Sequence, residues 1–139
     1  MTRPRVEEVT REVLGERGVG PAGYSAARAL GLTTQLPALW QVATLRTVDA
    51  IDGVQQHARR NLGRVDLTEK EIALLEVLRA PEVYAEAGWD AFVQAVSAGV
   101  STKEIRWGKV ADAVLAEWHV STRKNFSRLS DSLYPRGAA

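Results

Sequence analysis

Glycine and proline cut this chain into short segments, which leaves no room for one long helix, and the segments show no internal repeat. Gly15, Gly18, Gly20 and Pro21 interrupt the N-terminal part, and Gly31 and Pro37 the next stretch. Asp52-Gly53 marks the middle, and Pro81, Gly99 and Pro135 punctuate the rest. What lies between the breaks changes character along the chain. Val6, Val9, Val13 and Leu14 recur at spacings of three and four, which predicts a helix over 5–16. Tyr24 to Leu30 is Ala-rich and helix-favouring, with Gly31 placed as its C-terminal stop. Residues 33–37 read as an extended turn, because Pro37 pushes Leu36 out of helical angles.

Residues 39–61 differ from what precedes them. The run LWQVATLRTV is rich in β-branched and aromatic residues, and Asp52-Gly53 is a hairpin signal. Two or three short antiparallel strands are expected over about 39–47, 48–51 and 54–58, the other reading being a partly helical segment. The second half reads as helical. Thr68 with Glu71 three residues on forms a capping box. Ile72, Leu75, Val77 and Leu78 then supply an apolar side, and Pro81 ends the helix. Further helices are expected over 89–96, closed by Gly99, over 110–118 and over 121–133, with a turn at 101–107. Residues 1–4 and 134–139 are expected to fray. The fold class that follows is α+β: a mostly helical single domain, 1–139, with a small antiparallel β-hairpin or sheet.

At 139 residues, 45% hydrophobic and 25% charged, the chain suits one globular core. It has no cysteine, which excludes disulfides, thiolate metal sites and a cysteine nucleophile. The charged N-terminus lacks the apolar core of a signal peptide, and no run approaches the roughly 18 apolar residues of a membrane span. A cytoplasmic location without membrane association is therefore expected. Net charge is +1, but it is unevenly spread. Residues 1–64 carry nine Arg against six acids, 65–100 two basic residues against seven acids, and 101–139 seven basic residues against four acids. Such polarity suits a charged partner, or simply a solvated surface.

Few residues suggest catalysis. His57 and His119 are the only histidines. His57, beside two arginines, is read either as a general base or phosphate contact, or as a histidine bonded to the backbone at the end of a strand. His119 follows Trp118 at a helix end, where a cation suits the helix dipole. No catalytic set, metal-ligand spacing or phosphate-binding loop is present, so neither an enzyme nor a cofactor is expected. The four tryptophans read as core or interface residues. Around the third and fourth C-terminal helices, basic residues interleave with Trp107, Trp118 and Phe126. Arg123, Lys124, Asn125 and Arg128 would be the readers if this were a helix-turn-helix on DNA. The other reading is an ordinary helical hairpin, which the small local charge excess suits better.

The most specific stretch runs from Gly20-Pro21 through the Ala-rich segment to Leu30-Gly31-Leu32, Thr33-Thr34-Gln35 and Leu36-Pro37-Ala38. His57-Ala58 and Arg60-Asn61-Leu62 follow in order. In these residues the chain resembles the AbiEi-type antitoxins of type IV toxin–antitoxin systems, over about residues 5–80. Three features depart from the family pattern. Nothing before residue 5 supplies the usual winged helix-turn-helix, Arg28 stands where Asn is common, and the His57–Arg60 segment is a residue short. The resemblance implies a non-enzymatic antitoxin whose partner is a cognate nucleotidyltransferase-like toxin. On that reading His57, Arg59, Arg60 and Arg64 form the expected partner-binding surface, since arginine forks suit carboxylates and phosphates. Nucleic acid is the alternative partner, for a regulator using residues 103–128.

Overall fold

A computed structural model describes residue 8, residues 12–15 and residues 17–135. Of the N-terminal helix expected over 5–16, Glu8 and Glu12 to Leu14 are helical, Gly15 is not, at φ 81°, and the others lie outside the described residues, as do 1–4 and 136–139. The elements that follow are β1 (Gly20–Pro21), α1 (Gly23–Ala29), β2 (Trp40–Thr44), β3 (Val54–Ala58) and a 3-10 turn (Leu62–Arg64). Then come α2 (Glu69–Val77), α3 (Pro81–Tyr84), α4 (Trp89–Ser101), α5 (Trp107–Glu117) and α6 (Val120–Leu133). The chain is a single α+β domain, mostly helical, with a small sheet.

Local signals shape the ends of the elements. Gly31 sits at φ 75°, and its N–H donates to the Arg28 carbonyl while that of Leu32 donates to Ala27. This pair of bonds is a Schellman cap, and it stops α1 where glycine's freedom permits. At α2 the capping box forms in full: Thr68 Oγ1 accepts from Glu71 N at 3.2 Å, and Glu71 Oε1 accepts from Thr68 N at 2.8 Å. Pro81 not only follows α2 but opens α3, at the first-turn position where its missing N–H costs nothing.

The sheet departs from the expected hairpin. Its order is β1-β2-β3, with β1 antiparallel to β2 and β2 parallel to β3. The Asp52-Gly53 turn exists, with Gly53 at φ 77°, but it lies just before β3, where the Gly53 carbonyl accepts from Trp40 N at 2.8 Å. Residues 45–53 therefore return the chain to the start of β2, and β3 runs alongside it in the same direction. No strand forms over 48–51. There the Gln56 side chain takes the place of a partner strand, accepting from Val48 N and donating to the Val48 and Asp49 carbonyls.

Helix α2 is the hub. Residues 71–78 are all buried, as their nearly all-round apolar sequence requires, and α1, β1 and α5 pack on it. Gly20 lets β1 approach: a Cβ there would lie 2.8 Å from Ile72 Cβ and Cγ2.

Gly99 is a second close approach. It does not close α4, which continues to Ser101. A Cβ at Gly99 would sit 2.5 Å from Cδ1 of the buried Ile105. Helix propensity favours Gly99→Ala by about 0.5–1 kcal/mol, but overpacking costs about 1–3 kcal/mol. The second effect wins, so the substitution is expected to lower the urea midpoint. A raised midpoint would show that Ile105 can move aside.

Candidate functional site: an arginine-lined cleft

Three segments converge where β3 ends. Arg59, Arg60, Asn61 and Arg64 follow β3, α2 contributes Glu76 and then Arg79, and α5 ends in Glu117 with Trp118 and His119 after it. Asn61 fixes the geometry. Its side chain accepts from Gly63 N at 2.9 Å and donates to the Ala113 carbonyl at 2.9 Å and Glu117 Oε1 at 3.0 Å. Gly63 allows that approach, since a Cβ there would meet the Ala113 Cα at 3.2 Å.

Beneath the surface lies a buried ion network. The Arg64 side chain has no exposure. Its Nε donates to Glu117 Oε1 at 2.6 Å, and its Nη2 donates to Glu117 Oε2 and Glu76 Oε2, each at 2.8 Å. Arg59 grips Glu76 from the other side, Nη2 to Oε1 at 3.0 Å, and Arg79 Nη1 lies 3.8 Å from Glu117 Oε2. Burial pushes the Glu117 carboxyl up, but the hydrogen bonds and charge of Arg64 outweigh it and hold it below its ordinary value. For Arg64, burial acts downward and is outweighed by Glu117 and Glu76, so its proton is held more tightly. Arg79 goes the other way, lowered by burial and by repulsion from Arg59. Of the three arginines in the network it is the least compensated.

Two hollows flank Arg59 and Arg79. One, of about 270 Å³, is lined by Arg59, Arg60, Arg79, Glu117, Trp118 and His119 among others. The smaller, of about 110 Å³, includes His57, Glu76 and Tyr84. Burial, then the charge of Arg59, lowers the His57 pKa. Burial, then the charge of Arg79, lowers that of His119.

The structure sorts the expected surface residues. Arg59 and Arg60 reach the cleft, and His57 lines the hollow behind it. Arg64 cannot touch a docked partner, because two carboxylates hold it inside; it positions the site from below. His119 is not a cation at a helix C-terminus. It is the N-cap of α6, its Nδ1 accepting from Thr122 N at 3.2 Å, a role that requires that nitrogen to be unprotonated. Trp118 is not core either: it is 82% exposed and held in a left-handed conformation at φ 52°. Trp107 stacks on Phe126 at 4.7 Å, and Trp89 meets Phe92 edge-on at 5.4 Å. Tyr134, expected to fray, packs its ring against Trp107 at 5.9 Å.

Of the four α6 residues considered as DNA readers, three are engaged within the fold. Arg123 lies 4.4 Å over the Trp118 ring and donates to the Leu115 carbonyl. Asn125 donates to the Leu78 carbonyl at 2.9 Å, and Arg128 covers Trp89 at 3.9 Å. Lys124 is exposed. Among the described residues no group of three His, Cys, Asp or Glu side chains is placed to hold a metal.

The N-cap histidine gives the fold a pH dependence. In the unfolded chain His119 titrates near its ordinary 6.5; in the fold its pKa is lower. The unfolded state therefore binds more protons as pH falls through that window, and stability drops. The effect of His57 has the same sign. Those of Glu71 and Glu117 begin only below 4.5. His119→Asn keeps a cap without a titrating group, so its urea midpoint should fall less than the parent's between about pH 7.5 and 5.5. Equal falls would show that His119 does not titrate differently on folding.

No family model, no curated protein and no solved structure matches this chain.

Proposed function

We propose that this chain is a non-enzymatic cytoplasmic antitoxin that binds and neutralises a cognate nucleotidyltransferase-like toxin. The resemblance in residues 20–38 and 57–62 to AbiEi-type antitoxins suggests the class. The observation that carries the binding mode is Trp118: an 82% exposed tryptophan at the mouth of an arginine-lined cleft. Tryptophan and arginine are the residues in which interface energy concentrates. Leu62, Leu115 and Val120 are also exposed, at 82%, 65% and 80%, on the elements that meet there. Apolar exposure beside unneutralised guanidiniums suits a partner offering an apolar pocket rimmed by acids.

Co-expression with the product of the adjacent gene, followed by pull-down on this chain, tests the reading. Growth rescue with a co-purifying toxin is the expected result. Rescue without a complex would replace binding by modification or competition for the target. No rescue would remove the antitoxin reading.

A further inference from the structure

The ion network leaves the cleft with positive charge to spare. Arg59, Arg60, Arg64 and Arg79 gather around two carboxylates, Glu76 and Glu117. Glu117 faces the cleft, but its charge is turned inward: Oε1 accepts from Arg64 and Asn61, and Oε2 accepts from Arg64. Arg60 makes no hydrogen bond or ion pair among the described residues, and Arg79 has only the 3.8 Å approach to Glu117. Two guanidiniums are thus available at one concave surface, with Arg59 between the two hollows. His119 also lines the cleft and caps the N-terminus of the 14-residue α6, so the positive end of that helix dipole opens at the rim.

A cluster with an excess of two positive charges is best matched by a multiply charged anion, and guanidinium forks fit phosphate oxygens. A lone carboxylate would leave one charge unmet. Trp118 adds an apolar face at the same mouth. Arg123 lies over its ring at 4.4 Å, yet the side chain remains 82% exposed. An aromatic surface beside phosphate-binding cations is the pairing that holds a nucleotide, with the base stacked and the phosphates paired.

We infer that the cleft between the end of β3 and the α5–α6 junction binds a nucleoside phosphate, its phosphates on Arg59, Arg60 and Arg79 and its base against Trp118. The inference stands apart from the antitoxin reading, because it concerns the isolated chain and needs no toxin.

Isothermal titration of the full chain with ATP tests it, with inorganic phosphate and adenosine titrated alongside. Trp118→Ala and Arg60→Ala are suitable variants, since both side chains are exposed and neither belongs to the buried network. The expected result is saturable ATP binding that each variant weakens about tenfold or more, with Arg60→Ala alone weakening inorganic phosphate. Circular dichroism of both variants should match the parent. No saturation at millimolar ATP would overturn the inference. So would ATP binding that neither variant changes, or inorganic phosphate binding as tightly as ATP, which would leave the base without a role.

Discussion

Replacing Arg64 with methionine is expected to cost the fold about 3–5 kcal/mol, a large part of the roughly 5–15 kcal/mol that holds a domain together. Methionine nearly fills the space, so the loss is electrostatic. Glu117 would keep Asn61 and the distant Arg79, and Glu76 would keep Arg59, but the two carboxylates would share a dry site with no cation between them. The pH dependence identifies the cause. With Arg64 gone, burial dominates and the Glu117 pKa in the fold rises above 4.5. The folded state then binds more protons than the unfolded one as pH falls through that raised value, so the variant's deficit should shrink in mild acid. Adding Glu117→Leu removes the stranded charge and should recover at least half of the loss, because a buried pair is dispensable when both members go. Urea midpoints of the parent, the single and the double variant at about pH 7 and 5 decide this. A single-variant cost under about 1 kcal/mol would mean that water reaches the network.

That network was invisible in the sequence for a physical reason. Arg64 and Glu117 are 53 residues apart, and Arg64 and Glu76 are 12 apart on different elements. No periodicity links them. One sign was present: Glu76 interrupts the apolar run from Ile72 to Leu78, and an acid inside a helix buried on all sides must find a cation. Glu71 shows the same divide. Its capping box with Thr68 is a local pattern, readable from spacing alone. Its second task is not: Oε2 accepts from the backbone N and Nε of Arg106 at 2.7 and 2.9 Å, across 35 residues. Gly31 could be read as a stop because a cap is local. The packing roles of Gly20 and Gly99 are not legible, because they are set by Ile72 and Ile105, which chain order does not place beside them. The expected antiparallel pairing of β2 with β3 fails for a related reason. A hairpin turn signal specifies a turn, and here Gln56 bonds the loop backbone that an antiparallel partner would have used.

The largest functional effect is expected from changing the mouth of the cleft while leaving its foundation alone. Arg60→Glu combined with Trp118→Ala should abolish toxin rescue and complex formation in the co-expression assay. Hot-spot truncations cost about 2 kcal/mol or more each, so the pair should weaken binding by roughly a thousandfold. The choice of residues follows from the network. Arg59 and Arg64 would be poor probes, because removing either disturbs Glu76 and confuses lost contact with lost stability. Arg60 has no described partner and Trp118 is solvent-facing, so their loss, read from the urea midpoint, should cost no more than about 1 kcal/mol in stability. Trp118 does stack with Arg123, but an exposed cation–π contact contributes only about 0.5–1 kcal/mol. A double variant that is folded and still rescues would move the partner surface away from this cleft. A folded variant that fails to rescue, beside an Arg128→Ala control that still rescues, would place the surface at the α5–α6 junction rather than along α6.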